Sequence, residues 1–160
     1  MKTKFIYGLL TMLCFSLMSS TCSHDDDDLN IIDNSAEISE IKNTVENNSW
    51  QITSFVDSGV DETSHYTGYS FAFNSNGTLT ATKGSETVNG TWSVTDSNDS
   101  DDDSNSSDDI DFNINFASPA MFNDDLTEDW EIVTRSATKI ELIHISGGNG
   151  GTDTLTFQKI

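Results

Sequence analysis

The chain has 160 residues, with 27 Asp and Glu against 7 Lys and Arg and a formal net charge of −20 at pH 7. That balance excludes a nucleic-acid binder, whose phosphates demand clustered Lys and Arg, and speaks equally against a polyphosphate site. Of the two cysteines, Cys14 lies in an apolar leader and Cys22 just after it, which leaves no thiol pair to staple a fold, so stability has to come from a hydrophobic core.

Residues 1–21 carry Lys2 and Lys4, then an apolar run over 5–18, then Ser19, Ser20 and Thr21. A charged start, a short apolar stretch and small residues predict a secretory signal, because a spanning helix needs about 20 apolar residues. At Cys22 the chain resembles bacterial lipoproteins, in which a cysteine in this place is acylated and becomes the new N terminus. The resemblance implies a membrane anchor, with roughly 0.8 kcal/mol for each methylene buried in the bilayer. An ordinary secretory signal with an incidental cysteine is the alternative. Removing 1–21 takes away two lysines and no acid, so five basic groups face 27 acidic ones and the mature charge is about −22.

Residues 22–33 form an acidic tether. Ser23, His24, Asp25, Asp26, Asp27 and Asp28 resemble the segment that marks some Gram-negative lipoproteins for the outer leaflet, and their like charges keep the chain extended and off anionic head groups. The expected location is the cell outer membrane, lipid-anchored and surface-exposed; a plain solvated linker is the alternative. Residues 34–160 are then one domain, as their number suggests.

Its first element is an amphipathic helix over 34–48. Asn34 stands in cap position, Glu37 three residues on completes a capping box, and Ile38, Ile41 and Val45 recur on one face. This stripe has to cover an end or flank of the sheet downstream of it. After Trp50 the apolar period changes to two. Eight strands are predicted, at 50–56, 69–73, 78–83, 88–95, 110–116, 130–135, 139–145 and 154–158, with Asn76 and Gly77 as a hairpin turn and 147–151 as a glycine-rich link. In 110–116 the alternation is complete, with Ile110, Phe112, Ile114 and Phe116 on one face and Asp111, Asn113 and Asn115 on the other. The inward set is Trp50, Ile52, Tyr69, Phe71, Phe73, Trp92, Val94, Phe112, Ile114, Trp130, Ile132, Leu142, Leu155 and Phe157. A row of antiparallel strands leaves two open edges that closure removes, so the expected fold is all-β, an eight-stranded antiparallel up-and-down barrel with one N-terminal helix.

Four stretches, NSWQITSF at 48–55, GYSFAFNSNGTLTA at 68–81, VNGTWSV at 88–94 and DTLTFQK at 153–159, resemble the lipocalin-like domains of bacterial surface lipoproteins. The resemblance implies a small barrel able to hold an apolar ligand, lined by Trp50, Tyr69, Phe71, Phe73, Trp92, Phe112, Trp130 and Phe157. It does not extend to retinoid or haem carriage. Taken singly, each tryptophan reads more simply as packing than as a platform for a sugar.

Chemistry-bearing patterns are sparse. Asp99, Asp101 and Asp103 alternate as oxygen ligands for calcium would, but the glycine and glutamate of an EF-hand loop are missing, and a solvated acidic loop is the alternative. His24, His65 and His144 are isolated, so a zinc site needs partners assembled through the fold. His144 shares parity with Ile140 and Leu142, which makes a core or barrel-mouth histidine the simpler reading than a ligand, and His65 falls in the loop before the second strand. There is no nucleophile elbow and no phosphate-cradling glycine loop, and with 27 acids a carboxylate pair carries no information. The expectation is a non-enzymatic protein without a cofactor, bound to the membrane through its lipid and binding a small apolar or amphipathic ligand. The alternative is an adhesion or accessory subunit with a filled barrel that engages a protein or glycan; a hydrolase would need a cleft of converging polar groups.

Overall fold

The computed structural model describes residues 34–46, 48–96, 110–147 and 150–160. The leader, Cys22 and the tether lie outside the described residues, as do Asp99, Asp101 and Asp103. Helix α1 (Ser35–Val45) is followed by β1 (Ser49–Asp57), β2 (Val60–Asp61), a 3-10 turn (Thr63–Tyr66), β3 (Ser70–Phe73), β4 (Thr78–Lys83), β5 (Glu86–Asp96), β6 (Ile110–Asn115), α2 (Ala120–Leu126), β7 (Glu128–Arg135), β8 (Lys139–Ile145) and β9 (Thr152–Lys159). Strands β1 and β3 to β9 pair antiparallel in that order, and β9 returns to β1 over Trp50 to Val56. Eight strands therefore close into a barrel, and β2 is a short flap on the far end of β1. This is the predicted fold, and it is consistent with a lipocalin-like one. Among the described residues no helix is long and apolar enough to cross a membrane.

Two places show why the chain turns where it does. In the β3–β4 hairpin Gly77 takes φ +82°, which spares a side chain the left-handed strain, while Asn76 accepts the Thr78 N–H through its Oδ1 at 3.0 Å. On β5, Gly90 lies so close to β6 that a Cβ there would sit 2.6 Å from the Phe116 ring.

Helix α1 departs from expectation at both ends. Asn34 occupies the cap position without a side-chain cap bond; it is only 4% exposed, and its amide donates to Asp96 Oδ1 at 3.4 Å. The capping box therefore does not form, because the end of β5 offers the amide a charged acceptor. The helix stops at Val45, where Glu46 becomes extended and bridges to Phe73, and Asn48 Nδ2 donates to Thr44 O at 2.9 Å. Ile41 and Val45 are buried and Ile38 partly so, which closes the end of the barrel where β1 begins.

The other end is closed by elements the periodicity did not announce. Tyr66 on the 3-10 turn and Phe122 and Leu126 on α2 are buried there together with Phe116. Tyr66 and Phe122 meet edge to face at 5.5 Å, and Phe122 meets Phe116 at 5.0 Å. Each helix is held by an indole: Trp50 Nε1 donates to Val45 O at 3.0 Å and Trp130 Nε1 to Leu126 O at 3.2 Å, satisfying carbonyls that a helix C terminus leaves without partners.

Candidate functional site

Thirteen of the fourteen residues expected on the inner face are buried; Ile132 is only partly so and lines an outer groove. Trp50, Tyr69, Phe71, Phe73, Trp92, Phe112, Trp130 and Phe157 belong to one buried core, none more than 6% exposed. Their rings face one another: Phe73 lies 5.3 Å from Trp92, 5.5 Å from Phe112 and 5.4 Å from Phe157, and Phe157 lies 5.4 Å from Phe71. An eight-stranded barrel has an interior just wide enough for such side chains to fill. Phe55 departs from strict alternation. Phe55 is buried because β1 carries a bulge between Ile52 and Ser54 that shifts the inward phase by one residue and sets Phe55 opposite Leu155 on β9.

A groove of about 430 Å³ lies between α1 and strands β7 and β8. Ile41, Ile132, Val133 and Ile143 supply its apolar lining, and Glu37 and Arg135 its charges. The bulge between Ile132 and Thr134 turns Val133 outward to 56% exposure. Arg135 Nη1 donates to Glu40 Oε1 at 3.1 Å, and Nη2 faces Glu37 Oε1 at 3.4 Å. This hydrogen bond and the guanidinium charge hold the Glu40 carboxyl below its ordinary range.

The α2 end collects histidines and carboxylates that are far apart in sequence. His65 Nδ1 lies 3.4 Å from Asp125 Oδ2 and 3.6 Å from Glu62 Oε2. Tyr66 donates its hydroxyl to the same Asp125 oxygen at 2.9 Å, with Met121 O as a second acceptor of that one proton at 3.1 Å, and burial, with Asp125 adding to it, pushes the phenol well above its usual range. The second group is built on β8. His144 is a mouth residue, as its parity suggested: its Nε2 lies 3.4 Å from Glu128 Oε2 and 3.8 Å from Asp129 Oδ1, and its Nδ1 lies 3.6 Å from Asp153 Oδ2. Both groups have the ligand atoms of a small metal centre within reach of one another. Sequence reasoning found the histidines and missed their partners, because the partners come from other elements through strand register and helix docking. Comparison of this chain with protein families, curated proteins and solved structures found no match.

Proposed function

We propose that this chain is a lipid-anchored envelope protein, moored through Cys22 and displayed at the cell surface, whose barrel is a solid, non-enzymatic body acting as an adhesion or accessory subunit through its outside. The interior carries this reading. Phe71, Phe73, Phe112 and Phe157 occupy it ring against ring with Trp50 and Trp130 buried in the same core, and α1 and α2 cover its two ends, so a guest would have to displace rings that anchor the fold. A mature charge of about −22 suits a soluble, outward-facing domain. Acylated Cys22 and the acidic tether supply the mooring.

One observation favours a second reading. The groove between α1 and β7–β8 joins aliphatic walls to charged edges in a volume of about 430 Å³, within the range small-molecule sites occupy. An amphipathic ligand of the expected kind fits there better than inside the barrel.

Native mass spectrometry of the protein purified from its own host tests both. The acylated chain at its bare mass is the expected result. A stoichiometric small molecule that survives desalting overturns the solid-body reading, and its loss on Val133→Asp assigns it to the groove. Failure of radiolabelled palmitate to enter the chain, or unchanged processing of Cys22→Ser to a soluble form, would remove the anchor.

A further inference from the structure

We propose that His144, Glu128 and Asp129 form a zinc-type divalent cation site at the α2 mouth of the barrel, with Asp153 as the carboxylate that orients the imidazole. The distances are the first argument. An N–H···O hydrogen bond closes at about 2.7–3.2 Å, yet the two carboxylate oxygens stand 3.4 and 3.8 Å from His144 Nε2. One nitrogen carries at most one proton, and these gaps are too long for it to serve either oxygen well. The Glu128 gap suits donors on a shared ion, since zinc bonds of about 2.0–2.2 Å in tetrahedral array set neighbouring ligand atoms roughly 3.3–3.6 Å apart, and the Asp129 oxygen stands just beyond that span.

The opposite edge of the ring is the second, independent argument. His144 Nδ1 is buried with no hydrogen bond, an orphan in a side chain only 18% exposed. Asp153 is its cross-strand partner on β9, and its Oδ2 faces that nitrogen at 3.6 Å. The other oxygen, Oδ1, already accepts the Ser58 backbone N–H at 2.8 Å, which fixes the carboxylate in place. With a cation on Nε2, the ring's other nitrogen is the one turned to Asp153, the outer carboxylate that metal-bound histidines usually have. Imidazole together with two carboxylates favours zinc over calcium, which takes oxygen donors in larger number.

The other histidine group is the weaker candidate. His65 is 44% exposed, and the Asp125 oxygen nearest it already accepts the Tyr66 hydroxyl. It serves as the control.

The experiment is calorimetric titration of the purified, chelator-treated chain with zinc chloride, read in parallel through the histidine ring resonances by NMR. One saturable site that perturbs the His144 ring is expected. His144→Gln should abolish it, Glu128→Gln on the rim should weaken it, and Asp153→Asn should weaken it about 10–100-fold. His65→Gln should leave it unchanged, and calcium chloride should leave the His144 resonances where they are. Circular dichroism of each variant separates lost binding from lost folding, and if His144→Gln unfolds, Glu128→Gln decides. Absence of saturable uptake, uptake that survives both His144→Gln and Glu128→Gln, or uptake abolished by His65→Gln would each overturn the proposal.

Discussion

At the α1 end of the barrel Trp50 reaches out to the last carbonyl of one helix, and at the α2 end Trp130 does the same for the other, so the two closures share one mechanical device. Their electrostatics differ. Four of the five basic residues beyond position 33, Lys42, Arg135, Lys139 and Lys159, stand on α1 or on strand termini at the α1 end, where Arg135 meets Glu37 and Glu40. The α2 end holds Glu62, Asp125, Glu128, Asp129 and Asp153 around two histidines, with Lys83 over the face of Tyr69. The closures teach that the hydrophobic plug and the charge pattern are separable: one covers the barrel's ends, and the other sets the charge around each rim.

The largest effect comes from cutting the shared device. Trp50→Ala and Trp130→Ala are each expected to cost about 3–5 kcal/mol in urea unfolding, since each removes a buried indole and strands a helix carbonyl. A cost below 1 kcal/mol for either, on the order of a surface substitution, would show that its end is not latched. Next is Gly90→Ala, which drives a methyl group against the Phe116 ring and the Asn115 carbonyl near the α2 end. About 1–3 kcal/mol is expected, with intact secondary structure by circular dichroism.

Tyr66→Phe keeps the ring in the plug and removes only its hydrogen bonds to Met121 O and Asp125, for about 1–2 kcal/mol. Its pH signature sharpens the contrast between the ends. Burial, reinforced by Asp125, raises the folded phenol above the ordinary value of 10.0, so the unfolded chain ionises first on going alkaline. This contribution is complete below pH 10.0 and is lost as pH rises beyond it. Thermal melts across that range should slope downward for the parent and less steeply for Tyr66→Phe.

How much of this was legible depends on what kind of order each residue obeys. Strands β4 and β8 have the ends the alternation predicts, since Asn76 and Gly77 set the start of one and unbroken parity through Ile140, Leu142 and His144 marks the other. Phe55 was hidden because a bulge is one residue of local backbone, invisible to a period of two. Helix α2 was hidden by its length, seven residues, although Phe122 and Leu126 at a spacing of four after Pro119 were a usable signal. The partners of His144 were beyond reach for a deeper reason. Glu128 and Asp153 become its neighbours only through the register of β7 and β9 against β8, which no local pattern encodes.

The smallest expected effect tests the α1 rim. Arg135→Met keeps an apolar stem beside the groove and removes the charge that holds the Glu40 carboxyl below the ordinary 4.5. A carboxyl lowered in the folded state stabilises fully above its unfolded value and stops doing so as pH falls through the folded one. The variant should therefore melt slightly lower than the parent at pH 7, by less than Tyr66→Phe does, and the difference should shrink as pH falls below 4.5 and vanish once pH has passed below the lowered folded value. Raising salt at pH 7 should shrink it as well, because the pair is solvent-facing and screened. A difference that persists in acid and in salt would mean that Arg135 works through packing, and the charge contrast between the two rims would then rest on the histidine end alone.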